Sequence, residues 1–507
     1  MDLIQFPFSA FTLIFLLLLF LFLFKLIKSK AGSAIRELPP GPWKLPLIGN
    51  MLCLVGSLPH RGLSDLARKY GPIMHLQLGE SSTIVISTPR AAKEVLKTHD
   101  LAFATRPELL ASKIILYDHT DIAFCPYGDY WRQMRKVCTL ELLSAKKVRS
   151  FRSIREDENW KLVRSIHLLS GSTVDLSKMI TSVINAITCR ATFGNRCKDQ
   201  DVMLKKIKES TNAAGGFDVA DLFPSLKCVH FVSGLSVKLL KIHQKVDEIF
   251  DGMIKEHQAK TARTRKGNGE GGEEDLVDVL LRLKESGGLE FPITTKNIKA
   301  VIMDMFSAGT ETSSTTLEWA MSELIRNPGV MQKAQSELRE VLKGKKIVHE
   351  ADIQELRYLK LVIKETLRLH PVVPLLLPRE CRQQCEISGY NIPVKTKVIV
   401  NAWAIGRDPE YWHNAETFEP ERFENSPIDF TGNSLEYIPF GAGRRICPGI
   451  SFGLANVELP LAQLLYHFNW KLPDGVMHED LDMSETFGAT SARKTNLLVV
   501  ATSYSPL

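Results

Sequence analysis

The sequence predicts a mainly α-helical protein with a small β-rich part, preceded by one membrane-spanning helix. Three observations carry that expectation. Leu3 to Phe24 contains no charged residue, and a helix of that length spans about 33 Å, enough for a bilayer core. A longer helix candidate starts at Thr294 or Thr295 as its cap and runs to Arg326, stopping before Asn327-Pro328. At about 48 Å it crosses a whole domain. Residues 73 to 88 and 386 to 401 instead alternate with a period of two, as strands do.

Lys25, Lys28 and Lys30 follow the apolar stretch at once. The positive-inside rule therefore places the downstream chain in the cytosol. A cleaved signal peptide is the rival reading. Its charges would come first, its apolar region would be shorter, and a small-residue cleavage site would follow. Residues 1–30 thus read as a signal anchor. Leu38-Pro39-Pro40-Gly41-Pro42-Trp43 cannot continue a helix, so residues 31–45 read as a stiff, proline-rich hinge. Residues 46–507 form the globular part, and hydrophobic residues at 44% of the chain are ample for its core.

Gly79 and Ser81-Ser82 supply the turn of a hairpin over 73 to 88, and Pro89 opens a short helix over 89 to 97. Trp131-Arg132-Gln133-Met134-Arg135-Lys136 opens a basic helical stretch, with Trp131 and Arg135 on one face. Arg132 to Arg164 holds ten Lys/Arg against four Asp/Glu, most of the formal net charge of +7. Such a cluster steers an acidic partner. Nucleic acid is excluded as that partner, because no aromatic interleaving or nucleic-acid module accompanies the charges. Residues 172 to 258 read as mainly helical, with breaks at Gly215-Gly216-Phe217 and Phe223-Pro224. Residues 262 to 275 are charged and Gly-rich, the composition of a mobile surface loop.

The long helix has an unusual middle: Asp304, then Ala308-Gly309-Thr310-Glu311-Thr312-Ser313. Gly costs a helix interior about 1 kcal/mol against Ala. Here it permits a local opening of the hydrogen-bond ladder, with room for a flat ring or a water. The bland alternative is a hydroxyl bonding back to its own helix. A further helix reads from Leu356 to Leu369, ended by His370-Pro371, with Glu365 and Arg368 on one face. Residues 371 to 379 are apolar and helix-breaking, and should run extended along a greasy pocket. The nine cysteines form no CxxC pair, which speaks for a reducing compartment and against a disulfide scaffold or a zinc site at Cys381 and Cys385.

Phe440-Gly441-Ala442-Gly443-Arg444-Arg445-Ile446-Cys447-Pro448-Gly449 precedes an apolar helical run from Ile450 to Phe468. Backbone N–H groups in such a turn point at a sulfur, and the helix start adds its positive dipole end. Both favour a thiolate bound to a metal. This F-x-x-G-x-R-x-C-x-G pattern resembles the haem-ligand loop of the cytochrome P450 family. Ala308 to Thr312 is similar to that family's A-G-x-[DE]-T oxygen-activation motif. Glu365 and Arg368 are similar to its E-x-x-R pair, and Pro420-Glu421-Arg422-Phe423 to its P-E-R-F segment. The resemblance covers residues 36 to 507 and is nearest to plant 71-type members, the D subfamily in particular.

The resemblance implies a mostly helical P450 fold with a small β-rich lobe. The four motifs lie near residues 131, 312, 368 and 447 and serve one site, so one domain holds them. Cys447 would be the axial ligand of haem b, beside Phe440. Trp131 and Arg135 would satisfy haem propionates, joined by Arg379 and Arg445. Thr312 would activate oxygen, and Glu311 would relay protons. Glu365, Arg368 and Arg422 would form a structural lock behind the haem loop. Val301, Met305, Ala308, Val372, Val373, Leu376 and Phe487 would line the substrate pocket, Phe487 from a last substrate-contacting turn at Ser484 to Thr490.

The implied reaction is hydroxylation of a small hydrophobic plant metabolite, a sesquiterpene, monoterpene or diterpene, with O2. Its electrons would come from NADPH through a P450 reductase, the acidic partner. An alkaloid or phenolic substrate is the alternative. A P450 acting without external electrons usually lacks the Thr-centred motif, and a non-catalytic membrane haem binder needs neither Glu311 nor Thr312. The implied location is the endoplasmic reticulum membrane, single-pass, with the catalytic domain facing the cytosol.

Overall fold

Alternating apolar residues build the sheet beside the site. β1 (Ile73–Leu78) pairs antiparallel with β2 (Ser81–Ile86), Ile73 opposite Ile86. The computed structural model describes residues 38–195, 202–203, 205–206, 209, 219–226, 234–265, 274–486 and 488–504. A second, three-stranded sheet has the order β3 (Thr173–Asp175), β9 (Leu498–Ser503), β8 (Phe468–Lys471). The first sheet continues from β2 through β7 (Lys397–Val400), which is parallel to it, to the antiparallel β4 (Arg379–Glu380). β5 (Cys385–Ile387) and β6 (Tyr390–Ile392) form a separate hairpin. The first sheet is covered on both faces. Ile73, Ile84, Ile86, Val398 and Val400 enter one core, while Met74, Leu76, Val85 and Ile399 enter another. Successive side chains point to opposite faces, so apolar residues at consecutive positions serve both.

Among the described residues, ten longer helices follow one another in chain order. They are α1 (Pro59–Tyr70), α2 (Asp129–Val137), α3 (Arg152–Leu168), α4 (Leu176–Phe193) and α5 (Leu235–Arg265). Then come α6 (Leu276–Ser286), α7 (Thr295–Arg326), α8 (Pro328–Val341), α9 (Arg357–Leu369) and α10 (Ile450–His467). Thr294 caps α7 with a capping box to Asn297, which satisfies orphan N–H groups at its start. α7 threads two cores. Ile298, Ile302, Met303 and Phe306 pack into one, and Leu317, Met321 and Leu324 into the other. Each such side chain contributes about 1.5–3 kcal/mol on burial. α10 is apolar on most of its surface and packs against the second core through Val457, Leu461 and Leu464. A helix that is hydrophobic nearly all round belongs in an interior.

The structure corrects several expectations. The ladder of α7 runs unbroken through Gly309. A Cβ there would lie 3.2 Å from Phe452 Cε1 and 3.5 Å from Thr188 Cγ2. Close packing against α10 and α4 explains the glycine, not an opened helix. α5 continues to Arg265, so residues 262–265 are helical where a loop was expected, and residues 266–273 lie outside the described residues. Phe468 starts β8 rather than closing α10.

The expected anchor over 1–30 and the break at Gly215-Gly216-Phe217 lie outside the described residues. Among the described residues, no helix is long and apolar enough to cross a membrane. The proline-rich stretch is not a free linker where it is described. The His75 N–H donates to Pro40 O at 2.8 Å, and Asn50 Nδ2 donates to Pro42 O and Trp43 O at 3.0 Å each.

Candidate active site

Cys447 lies where the 440–449 turn meets the start of α10. Gly441 and Gly443 adopt φ of +72° and +70°, which only glycine takes at no steric cost. A Cβ on Gly443 would lie 2.1 Å from the Leu96 carbonyl oxygen. The Cys447 N–H donates to Phe440 O at 3.0 Å, and the Gly449 N–H donates to Cys447 Sγ at 3.3 Å. Burial pushes the Cys447 thiol up, opposed by the Gly449 N–H and by the Arg135 guanidinium. A metal cation on the sulfur reverses that balance, because the thiolate is the metal ligand.

The sulfur faces a cavity of about 450 Å³, between α7, the 372–379 segment and the tip of the 484–494 turn. Four arginines line it: Arg106, Arg135, Arg379 and Arg445. Arg106 donates to Leu377 O at 2.7 Å, Pro378 O at 2.9 Å and Ala123 O at 3.0 Å. Arg445 donates to Ala104 O at 2.7 Å, Ile122 O at 3.2 Å and Cys125 O at 2.6 Å. Arg135 donates to Ile446 O, and Arg379 to Ala442 O at 2.9 Å. Burial lowers all four, Arg445 to about 10, and Arg445 and Arg379 lower Arg106 further. Of these four, only Arg379 has an ion-pair partner among the described residues, Asp100 at 3.1 Å. Three buried guanidinium groups and the partly buried Arg135 around one cavity call for anions. The two propionates of a haem, with iron on Cys447, fit this cradle. Phe440 also lines the cavity, edge-on to Phe430 at 5.5 Å.

Trp131 stands behind Arg445 rather than in the cavity wall. Its indole N–H donates to Ile122 O at 3.0 Å, and its ring lies 4.1 Å beneath the Arg445 guanidinium. It is not among the cavity's lining residues; it supports an arginine that is. Arg106 escaped sequence reading. Its signal was a lone cation in the apolar run from Leu101 to Leu110.

Behind the cysteine turn, Glu365 accepts from Arg368 Nε at 2.7 Å, Arg368 Nη2 at 2.8 Å and Arg422 Nε at 2.9 Å. Arg368 Nη1 also donates to Gly406 O and Ala415 O, both at 2.7 Å. The three predicted lock residues therefore meet in one buried network joining α9 to the 415–423 segment.

On α7, Met305, Ala308, Gly309, Glu311 and Thr312 line the cavity. The Thr312 hydroxyl donates back to Ala308 O at 2.6 Å, and Glu311 Oε1 accepts from Thr490 Oγ1 at 2.6 Å. Val372, Val373 and Leu376 form the opposite wall. Val301 does not reach the cavity, whose lining on this helix starts at Met303; it is fully buried in the core with Ile298 and Ile302. Phe487 lies outside the described residues. Phe452 and Leu367 line the cavity without having been anticipated. Asp304 holds the cavity roof, accepting from the Ile122 N–H at 2.7 Å. Burial and the neighbouring Asp121 push its carboxyl well above the usual range, and burial pushes Asp121 up to about 6.

The expected basic face is partly consumed by structure. Arg155 is fully buried on Glu350 at 2.6 Å. Arg152 and Lys161 are paired with Glu156 and Asp157, each at 2.7 Å. Arg132, Lys136, Lys146 and Arg149 stay exposed.

Comparison with known proteins agrees with this geometry. The cytochrome P450 family model matches residues 39–499. Premnaspirodiene oxygenase of Hyoscyamus muticus is 60% identical, over 97% of this chain and 98% of that protein. Germacrene A hydroxylase of Barnadesia spinosa is 59% identical, over 95% and 96%. A solved zebrafish cytochrome P450 with abiraterone superposes with a TM-score of 0.74 at 25% identity, covering 88% of this chain and 99% of that one. The chain belongs to the cytochrome P450 family.

Proposed function

We propose that this P450 monooxygenase hydroxylates a terpenoid, most directly a sesquiterpene, with O2 and with electrons from NADPH through a P450 reductase. The observation that carries this reading is the cavity itself. Val372, Val373, Leu376, Met305 and Phe452 wall it with apolar surface, between the Cys447 turn and the Glu311–Thr312 pair. Hydrocarbon binding needs such a wall and few polar groups. The names of the two plant relatives, an oxygenase and a hydroxylase of sesquiterpenes, support the substrate class.

Cys447 would hold the haem iron, and Arg106, Arg135, Arg379 and Arg445 the propionates. The haem, when bound, supplies the oxygen chemistry, favoured by thiolate electron donation. The chain supplies the rest. The apolar wall orients the substrate and excludes water. Glu311 takes up protons and passes them inward. The Thr312 oxygen keeps acceptor capacity while its proton rests on Ala308 O; its hydroxyl turns toward the cavity and gives up its own proton there as its oxygen takes the one passed by Glu311. Glu365, Arg368 and Arg422 fix the ground behind the cysteine turn and take no part in proton transfer.

The reductase would dock beside α2. Arg135 on this helix reaches Ile446 O, next to the ligand cysteine, and the exposed Arg132 and Lys136 flank that contact. Residues 1–30 would anchor the protein in the endoplasmic reticulum membrane, with the domain in the cytosol. The test is co-expression with a plant reductase, feeding sesquiterpenes, monoterpenes and alkaloids in turn. NADPH-dependent hydroxylation of a terpene is expected. Turnover of alkaloids or phenolics without any terpene product would overturn the substrate class.

A further inference from the structure

The C-terminal turn over 484–494 is clamped at its base and touches the acid of α7 at its tip. Glu485 pairs with His60 at 2.8 Å and Arg61 at 3.2 Å. The Lys494 N–H donates to Ser484 O at 2.8 Å, closing the turn. Arg493 Nη1 donates to Ser322 Oγ at 3.1 Å, and Trp319 Nε1 to Ser491 O at 2.9 Å, so α7 holds the returning limb. The Ser491 N–H donates to Val372 O at 2.8 Å, which ties the same limb to the apolar wall. Gly488, Ala489 and Thr490 at the tip line the cavity. The Thr490 hydroxyl, on a residue only 8% exposed, donates to Glu311 Oε1 at 2.6 Å.

We propose that Thr490 is a positioning residue for proton delivery: its hydroxyl fixes the Glu311 carboxyl beside Thr312. The inference rests on the reading of Glu311 as the proton relay. A glutamate side chain has several rotatable bonds and loses rotamer entropy when held in one geometry. A hydrogen bond from a residue next to a limb held by Trp319, Ser322 and Val372 meets that cost before the reaction begins, as preorganised sites do. Thr490 donates the bond and keeps its proton; the proton passed inward is the one Glu311 draws from water. The same tip borders the substrate cavity, so a substrate packed on Gly488 and Ala489 presses on the segment that holds the acid. Pocket occupancy and proton delivery thereby share one element. The sequence resemblance brings the 484–490 turn to the same pocket as Glu311, but the hydrogen bond from Thr490 to Glu311 appears only in the fold.

The experiment compares Thr490→Val, Thr490→Ser, Glu311→Gln and the Thr490→Val/Glu311→Gln double variant in the full-length, reductase-supported enzyme, each haem-loaded. Product and hydrogen peroxide formed per NADPH are measured, with substrate affinity by spectral titration and the solvent isotope effect on product formation. Loss of one positioning hydrogen bond should lower product per NADPH roughly 2- to 10-fold in Thr490→Val. Peroxide should rise and the solvent isotope effect should change. Thr490→Ser should restore coupling, and the double variant should fall no further than Glu311→Gln. Wild-type coupling in Thr490→Val would overturn the inference. So would equal loss in Thr490→Ser, which would assign the effect to the methyl group, and so would additive loss in the double variant. Full coupling in Glu311→Gln would remove the relay reading itself and the inference with it.

Discussion

Removing Glu365 should cost more than any surface ion pair in this protein. Its carboxylate accepts four hydrogen bonds: two from Arg368, one from Arg422 Nε, and one from the Glu419 N–H at 2.9 Å. The Glu365 and Arg368 side chains are 0% exposed. Glu365→Ala leaves two guanidinium groups without their shared anion, and breaking a buried pair by deleting one partner costs about 3–5 kcal/mol. Arg368 keeps Gly406 O, Ala415 O and Thr417 O, which moves the expectation toward the lower end. That is still a large share of the roughly 5–15 kcal/mol that holds a native domain. An exposed i,i+3 pair would be worth about 1 kcal/mol at most. Urea unfolding followed by tryptophan fluorescence, with haem content measured in parallel, separates the two cases. Glu365→Gln, which keeps the shape and one acceptor, should fall between wild type and Glu365→Ala. A Glu365→Ala midpoint equal to wild type, with full haem content, would refute the reasoning.

Two further predictions concern pH and the membrane. Burial would raise the Glu485 carboxyl, but hydrogen bonds from His60 and Arg61 outweigh it and hold it at about 2, against an ordinary 4.5. A depressed folded-state value means stability present above pH 4.5 and lost as the pH falls through about 2, amounting to at most about 3 kcal/mol. Glu485→Gln should therefore flatten the acid limb of the stability curve, and an acid limb as steep as wild type would contradict the assignment. Deleting residues 1–30 should release most of the protein from membranes with its haem spectrum intact; loss of haem on truncation would place that segment in the fold.

Much of this site was legible because its chemistry sits in contiguous motifs. The cysteine turn, the E-x-x-R pair and the Ala308–Thr312 run each carry their own spacing, and their side chains lie around one cavity or directly behind it. What sequence could not show depends on contacts between distant segments. Gly309 reads as a weak point until Phe452 and Thr188 are seen against it. Arg106 belongs to no motif, and its place in the site appears only where Leu377 O and Pro378 O accept from it. Arg155 counts toward a basic face in sequence and is buried on Glu350 in space. Val301 shares a helix face with Met305, yet the core closes over it before the cavity begins. Periodicity gives the face of a helix; it does not give the point along that face where a cavity ends.

Ligation of the haem by a Cys447 thiolate would be read in the absorption spectrum of the reduced protein under carbon monoxide. Wild type should show the red-shifted Soret band that thiolate ligation produces, and Cys447→Ala should lose it, while Cys381→Ala and Cys125→Ala should retain it. A thiolate-type band surviving in Cys447→Ala would contradict the assignment of the ligand.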